Sequence, residues 1–294
     1  MTARTKKYTV RFYKARYGAD GKAGNLFDLF TTLSKKRKPL NVMQAGDTAY
    51  QMRGITKSVD GKSFSAYLVR FRIDKPAVGS KLTLAEEYLE LAKGKEFIEK
   101  NHFIIFKEQS DVEILGYQCS REGGVISALA HYLTFIIDLK ETITFDDILT
   151  KESLDAVFKK GLIRNVEFSV AKPTNKEYKL KPEDTWTQES FEMLKEVGAS
   201  TFTAKIGVKS RSGGLLKKAQ TKIRQLMKSE YTKRLKVKVS GIDEPIDLFA
   251  ERIHDRIEVP VSDGGVINSI DIYNEIRNVK DQKQQHLNAN FQDN

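Results

Sequence analysis

The segment from Lys205 to Lys238 constrains the fold of this chain more than any other stretch of its sequence. It contains twelve basic residues and a single acid, Glu230, so its formal charge of +11 equals that of the whole protein. Its apolar residues first recur at helical spacing and then alternate with polar ones, which predicts a helix over 215–228 and a strand over 233–238. We expect each element to bury one face and to turn its cations toward solvent.

The predicted helix divides into an apolar arc and a cationic arc. The apolar arc holds Leu215, Leu216, Ala219, Ile223, Leu226 and Met227, and the opposite arc holds Lys217, Lys218, Thr221, Lys222, Arg224, Gln225 and Lys228. In the strand that follows, Leu235, Val237 and Val239 alternate with Lys236 and Lys238. The helix and the strand therefore each present a basic face.

A glycine-rich turn, Arg211-Ser212-Gly213-Gly214, comes directly before the predicted helix. Glycine lets the backbone turn sharply, and the N–H groups at a helix start have no partner within the helix. Such groups are a ready binding site for an anion. We therefore expect this turn to add backbone donors to the basic face.

Charge is segregated along the sequence. Residues 1–40 carry a formal charge of +9, and the residues outside 1–40 and 205–238 together carry −9. If folding brings the two basic segments together, they form one extended positive surface, whose general partner is a phosphate backbone. A solvated face kept basic for solubility is the alternative. Such faces usually intersperse acids with their lysines, which favours nucleic-acid binding here.

Composition narrows the class of protein. The chain has 294 residues, a pI near 9.4 and one cysteine, Cys119, so it has no intramolecular disulfide and suits a reducing cytoplasm. The basic N-terminus leads into an alternating segment and not into a continuous apolar run, so we do not expect a signal peptide. The longest apolar stretch, 125–137, is too short to span a bilayer and predicts a buried helix.

The order of the predicted elements indicates an α+β protein with mixed sheets, packed helices and two domains. From about residue 161 the pattern is strand, helix, strand, basic helix and basic strand, which predicts a basic α+β domain over 161–241. We expect residues 1–160 to form an N-terminal α+β domain that is completed by 242–279. Residues 280–294 are polar and aperiodic, which predicts a disordered tail.

Local signals predict the individual elements. In the first half they are a strand over 7–17, a helix from Leu26 to Ser34 capped by Asn25, hairpin strands over 50–55 and 64–73 around Asp60-Gly61, a helix opened by Thr83 and Glu86 and ending near Lys100, strands over 102–106 and 112–117, and an apolar helix over 124–139. In the second half they are an amphipathic helix in two pieces over 144–158, a strand over 166–170, a helix capped by Thr185 or Thr187 and ended by Gly198, strands over 201–208, 246–253 and 256–261, and a last helix from Asn268 or Ser269 to Val279.

Side chains that carry out chemistry are scattered. No pair of the four histidines has helical metal spacing and there is no Cys-x-x-Cys, so we expect no metal, no cofactor and no catalytic residue. His131 suits a hydrogen-bonded core position, and Cys119 is more simply structural than reactive. A metal-dependent nuclease is the alternative function, since Asp146, Asp147 and Asp184 could help to hold Mg²⁺. The pair Glu167 and Lys172 has the wrong spacing for the usual nuclease motif.

Several segments, taken in order, resemble the RexA exclusion proteins of temperate phages. They are Asn25-Leu26-Phe27-Asp28-Leu29-Phe30, the hairpin Val59-Asp60-Gly61-Lys62-Ser63-Phe64, the strand Phe103-Ile104-Ile105-Phe106 followed by Ile114-Leu115-Gly116, the stretch Phe191 to Gly198 before a basic strand and helix, and Ile257-Glu258-Val259-Pro260-Val261. The resemblance, which extends distantly to the ring-shaped recombination inhibitor RdgC, implies a cytoplasmic homodimer of α+β domains that binds duplex DNA without strong sequence preference. It also implies a role in phage exclusion with a membrane partner of the RexB type, and it brings no catalytic residues. The basic helix here is richer in lysine than that family's, so individual contacts do not transfer.

The sequence therefore predicts a non-enzymatic DNA-binding protein of phage defence or abortive infection, encoded by a prophage. The residues expected to contact phosphates are Arg211, Lys217, Lys218, Lys222, Arg224, Lys228, Lys233, Arg234, Lys236 and Lys238, with Arg11, Lys14 and Arg16 as auxiliary contacts. A third hypothesis is that the basic surface meets anionic lipid or an acidic protein. The helix lacks the exposed aromatic or leucine edge of interfacial helices, which disfavours lipid.

Overall fold

A computed structural model describes twelve stretches of the chain. They are residues 4–16, 25–72, 77–79, 86–108, 113–120, 123–137, 143–159, 161–171, 184–209, 213–229, 231–262 and 264–289. Within these stretches the secondary structure combines α-helices with two large antiparallel sheets, of eight and four strands, and a two-stranded ribbon. The predicted α+β class is confirmed.

Fourteen strands and seven α-helices are formed by the described residues. The strands are β1 (Thr5–Arg16), β2 (Met43–Ala45), β3 (Thr48–Lys57), β4 (Ser63–Phe71), β5 (Ala77–Gly79), β6 (Glu86–Tyr88), β7 (Ile98–Lys107), β8 (Glu113–Cys119), β9 (Thr144–Asp147), β10 (Ile163–Ala171), β11 (Thr201–Gly207), β12 (Thr232–Val239), β13 (Ile246–Asp247) and β14 (His254–Pro260). The helices are α1 (Leu26–Ser34), α2 (Ile126–Ile136), α3 (Lys151–Leu154), which continues into a π-helical turn (Asp155–Lys159), α4 (Thr185–Val197), α5 (Lys218–Lys228), α6 (Ser269–Gln282) and α7 (Gln284–Ala289).

The chain divides into two compact units. The first unit comprises Met1–Phe145 and His254–Gln282, and the second comprises Asp146–Ile253 and Lys283–Asn294. These bounds differ from the predicted 1–160 with 242–279 and 161–241. Residues 146–159 and 242–253 pack into the second unit, where Leu149 and Leu248 belong to its core. Those residues lack the charge that marked the basic segment, so composition placed them on the wrong side of the boundary.

The first unit is built on an antiparallel sheet with the strand order β14-β1-β8-β7-β4-β3-β2, and β9 also pairs with β1. Helices α1 and α2 pack on one face, where Phe30 and Leu129 meet strand residues such as Phe103. Helix α6 packs on the other face, above β7, β8 and β14. A Cβ on Gly116 would lie 2.8 Å from Ile276 Cγ2, so this glycine permits α6 to approach the sheet closely.

The second unit is built on a four-stranded antiparallel sheet with the order β11-β10-β12-β13. Residues of one face, among them Val166, Phe168, Leu235 and Val237, form the core with helices α4 and α5. Because side chains alternate along a strand, the neighbouring residues of β10 and β12 lie on the face opposite α4 and α5. This division of the sheet decides where the basic residues lie.

Several local predictions are confirmed. Helix α1 has the predicted bounds, and the Asn25 Oδ1 accepts from the Asp28 backbone N–H at 3.1 Å. Strands β3 and β4 form the predicted hairpin, with Gly61 at φ +73° in its turn. Gly198 ends α4 in the left-handed conformation. The N-cap of α4 is Asp184 and not the predicted Thr185 or Thr187. The Asp184 Oδ1 accepts from the Thr187 backbone N–H at 3.3 Å.

Other local predictions are wrong. The helix expected to reach Lys100 is replaced by β6, an irregular stretch that contains a turn, and the start of β7, while Thr83 lies outside the described residues. The first piece of the helix over 144–158 is strand β9. The tail predicted to be disordered is helical as far as Ala289, in the end of α6 and in α7. In the described stretches, no helix has the length and apolar character needed to cross a membrane.

Candidate nucleic-acid interface

Helix α5 carries the centre of the predicted interface, but it begins later than predicted. The Leu215 backbone N–H donates to the Ile163 carbonyl oxygen at 2.8 Å, which holds that residue against the end of β10 and outside the helix. Leu216 is 78% exposed and contributes nothing to the core. The apolar side of α5 is therefore formed by Ala219, Ile223 and Leu226, which are buried.

The cations of α5 share one side of the helix, which we call the α5 face. Its members are Lys217, which caps the helix, and Lys218, Lys222, Arg224 and Lys228 within it. At 100° per residue these five positions fall within an arc of about 160°, opposite the buried residues. Lys217, Lys218, Arg224 and Lys228 are exposed and Lys222 is half-buried.

Three members of the α5 face are held by neighbours. The Lys222 ammonium donates to Thr185 Oγ1 at 2.7 Å. The Arg224 guanidinium lies 4.0 Å from the centre of the Phe158 ring, in a cation–π contact. Lys228 Nζ lies 3.5 Å from a carboxylate oxygen of Asp146. These contacts restrict the side chains and so lower the entropy lost when a ligand binds.

The first turn of α5 is the most open part of the face. Lys217 and Lys218 are exposed, and neither is within ion-pair distance of a carboxylate in the part of the chain that the structure describes. They stand at the positive end of the helix dipole, where cations are disfavoured. This arrangement costs stability, and it leaves the two lysines available to an anionic ligand.

A second set of cations lies on the face of the four-stranded sheet opposite α4 and α5, which we call the sheet face. Its members are Lys205 on β11 and Arg234, Lys236 and Lys238 on β12. The carboxylate of Glu167 stands between them, 3.2 Å from Arg234, and Asp247 lies 3.7 Å from Lys236. The Lys238 ammonium donates to the Asp243 carbonyl oxygen. Two carboxylates therefore partly neutralise the four cations of this face.

The α5 face and the sheet face lie on opposite sides of the second unit. Ile223 of α5 packs with Leu235 and Val237 of β12, and Lys236 and Lys238 alternate with those residues and so point the other way. The single basic surface predicted from the sequence is therefore two surfaces. One flat ligand cannot contact both at once.

The remaining predicted contacts are placed elsewhere. Lys233 is exposed beside a register shift of β12, and Arg211 lies outside the described residues. Arg11 and Lys14 are half-buried in β1, which lies between β14 and β8 in the first unit. Arg16 ends that strand, and its side chain is outside the described residues. The auxiliary role predicted for these three residues stays a prediction.

The acids considered for a nuclease all have structural partners. Asp146 pairs with Lys228, Asp147 lies 3.0 Å from Arg252, and Asp184 caps α4. Glu167 pairs with Arg234, and Lys172 is outside the described residues. No cluster of three or more histidine, cysteine or acidic side chains among the described residues could hold a metal ion.

The buried histidine is His102 and not His131, which is exposed. His102 Nδ1 lies 2.7 Å from Gln118 Oε1, which can only accept, so this nitrogen donates and Nε2 accepts from the Ser269 hydroxyl at 2.8 Å. Burial lowers the pKa of His102 to about 4, so the imidazole is neutral near pH 7. The histidine thus joins β7 to the first turn of α6.

Sequence reasoning missed the side chains that support or neutralise the cations of the two basic faces. Phe158, which supports Arg224, lies in a π-helical turn far from α5 in sequence, and Asp247, which neutralises Lys236, lies on a two-residue strand. The cross-strand position of Glu167 depends on the register of β10 with β12. None of these relationships has a local sequence signal.

The fold and the site define a two-unit α+β protein whose second unit carries a cationic helix face. The chain matches, over residues 3–289, the model of the family described as a family of unknown function, DUF6731. It belongs to that family. No curated protein and no solved structure matches the chain.

Proposed function

We propose that this protein binds duplex DNA without sequence preference, through phosphate contacts made by the α5 face. The proposal rests on one observation: five cations share one side of a single helix, and the two in its first turn have no described carboxylate partner. A helix of 11 residues is about 16 Å long. Duplex DNA of that length carries roughly nine phosphate charges, which is more than enough to meet five cations.

The chemistry of the α5 face favours binding without base reading. Four of its five cations are lysines, which act as point charges, whereas specific contacts to guanine typically use the forked guanidinium of arginine. The arginine present, Arg224, lies over the Phe158 ring. Phosphate contacts position a protein on DNA but carry no sequence information.

The resemblance to the RexA proteins supplies the biological part of the proposal. In that reading the protein is a cytoplasmic homodimer that acts in the exclusion of superinfecting phage, together with a membrane partner of the RexB type. A dimer would present two α5 faces related by a two-fold axis, and linking two weak phosphate-binding faces raises the overall affinity.

The test compares two matched triple variants in salt-titrated gel shifts. Lys217→Gln/Lys218→Gln/Arg224→Gln removes three charges from the α5 face, and Lys205→Gln/Lys236→Gln/Lys238→Gln removes three from the sheet face. On duplex DNA the first variant should bind more weakly, with the slope of log K against log salt less steep by about 2.7. The second should keep the slope of the wild-type protein.

The outcome discriminates between surfaces and between ligands. Equal losses in the two variants, or a loss in the sheet-face variant alone, would overturn the assignment to α5. A wild-type binding constant that does not change between 50 and 200 mM salt would overturn phosphate binding altogether. Single-stranded DNA and RNA run beside the duplex decide which nucleic acid the face prefers. Far-UV circular dichroism confirms that both variants are folded.

A further inference from the structure

The sheet of the first unit contains a notch where β8 ends. The last residue of β8, Cys119, pairs with Thr9 of β1. On the other side, the pairing of β8 with β7 ends at the pair Phe103 and Tyr117. Both neighbours continue past this point. Residues 5–8 of β1 pair with β14, and residues 98–102 of β7 pair with β4. In these registers no described strand pairs with the facing edges of β1 and β7, and the His102 N–H of β7 donates instead to Gln118 Oε1 at 3.0 Å.

The notch encloses a cavity of about 390 Å³. Strands that flank one missing strand are about 10 Å apart. The cavity is lined by Lys6, Lys7, Tyr8, Thr9, Glu99, Lys100, Cys119, Ser120 and Arg256. Its volume lies within the range of small-molecule sites, and its inner end is formed by Cys119 and Ser120, where β8 ends.

The charges of the notch are unbalanced. Two carboxylates are close by, but Glu99 lies 3.2 Å from Arg72 and Glu258 lies 2.8 Å from Lys7, so both already have cationic partners. Lys6, Lys100 and Arg256 are exposed and have no carboxylate partner among the residues that the structure describes. Three cations that have no described carboxylate partner therefore line one cavity, with Lys6 and Arg256 on opposite faces of the sheet because Arg256 pairs with Thr9.

Hydrogen-bond donors complete the lining. The Ser120 Oγ accepts from Asn101 Nδ2 at 3.2 Å and from the Gly123 N–H at 2.9 Å, so both of its lone pairs are used and its own proton is left to donate. Thr9 adds a second hydroxyl, and Tyr8 an aromatic ring beside Lys6. Hydroxyl donors and cations together form a lining that suits an anion.

We propose that this notch is a binding site for a small phosphate-bearing anion of the mononucleotide class. The three cations balance a phosphate monoester, the hydroxyls and the strand-edge N–H groups donate to its oxygens, and the volume leaves room for more than a phosphate ion. An acidic peptide added as a strand is the competing occupant. A strand added here could pair only with residues 5–8 of β1 and 98–101 of β7, and this short length favours the small ligand.

The site lies in the first unit and is independent of the α5 face. Isothermal titration of the full chain with adenosine 5′-monophosphate, inorganic phosphate, adenosine and tetraglutamate tests it directly. We expect saturable binding of the monophosphate, weaker binding of phosphate, and no binding of adenosine. Equal affinities for phosphate and monophosphate would restrict the site to the phosphate group and overturn the nucleotide class. Tighter binding of tetraglutamate would assign the notch to a peptide.

Variants keep the proposal falsifiable. Lys100→Gln/Arg256→Gln should weaken the monophosphate about tenfold or more, since charge-assisted contacts are lost. The matched control, Lys93→Gln/Lys95→Gln, removes two exposed cations outside the notch and should bind normally. Absence of saturation in the wild-type protein, or equal affinities in both variants, overturns the site. The α5 triple variant should retain monophosphate binding, so failure of one proposal is distinguishable from failure of the other.

Discussion

Lys222 on α5 and Lys236 on β12 lie on opposite sides of the four-stranded sheet, although only 13 positions separate them in a segment of nearly uniform charge. The helix and the strand bury their apolar residues against each other, so their polar faces must point apart. The number of charges in a sequence segment therefore does not give the charge of any one surface. The number of phosphates that the protein can neutralise is therefore set by the five cations of the α5 face and not by the charge of the whole segment.

That count predicts the salt dependence of DNA binding. Five neutralised phosphates give a slope of about −4.5 in log K against log salt, so affinity should fall about 500-fold between 50 and 200 mM salt. Fluorescence anisotropy with labelled duplexes of several sequences measures this slope. A slope near −9 would mean that the sheet face or the N-terminal cations also contact phosphates.

The proposed phage exclusion should depend on the same face. In cells that carry the gene with its native neighbours, the α5 triple glutamine variant should lose plating exclusion, and the sheet-face variant at equal abundance should retain it. Immunoblotting verifies that the two variants are equally abundant. If both variants exclude phage, exclusion does not require phosphate binding by the α5 face.

His102 should make the first unit less stable in mild acid. Its pKa is about 4 in the folded chain and 6.5 ordinarily, so between these values the unfolded chain binds a proton that the folded chain does not. Stability should therefore fall as pH drops from 6.5 to 4, by up to about 3 kcal/mol. Urea unfolding followed by circular dichroism should show a shallower dependence for His102→Gln. His131→Gln, at an exposed position, should behave as the wild-type protein does.

Gly116→Ala should destabilise the first unit by about 1–3 kcal/mol, because the new methyl group would press on α6. A Cβ there would lie 2.8 Å from Ile276 Cγ2 and 3.1 Å from Phe12. Gly264→Ala is the control, since nothing lies within 4 Å of its Cβ position. Thermal unfolding of the two variants checks this, and equal midpoints would show that α6 is not closely packed at this point.

Ile223→Ala should cost the second unit about 2–5 kcal/mol, because the side chain is fully buried in its core. Leu216→Ala should cost almost nothing, since that side chain is 78% exposed. The single tryptophan, Trp186, stacks on Phe168 in the same unit and reports its unfolding by fluorescence. A large effect at Leu216 would mean that the helix begins earlier than Lys218.

Local chemistry made α1, the β3–β4 hairpin and α4 predictable from the sequence, since Asn25, Gly61 and Gly198 each stabilise a specific backbone conformation. Periodicity also identified the buried face of α5. The error over residues 83–100 has a physical reason, because Leu89 and Leu91 follow the helical pattern yet are exposed in a stretch without regular secondary structure.

The relative placement of the basic faces and the notch at Cys119 could not be predicted in this way. The first depends on which sides of α5 and β12 meet, and the second on how far β8 extends between its neighbours. Both are set by pairing between residues distant in sequence. The tail was misjudged because its few apolar residues, among them Leu287, are buried only once the chain is folded.

The pairing of β1 with β14 has a consequence for biosynthesis. β1 leaves the ribosome before its partner β14, which emerges only after residues 146–253 of the second unit have been translated. Until then, residues 5–11 of β1 lack the neighbour that covers one edge, and an open strand edge is a template for aggregation. A nascent chain that stalls before His254 would keep that edge exposed, which makes it a natural client for chaperones.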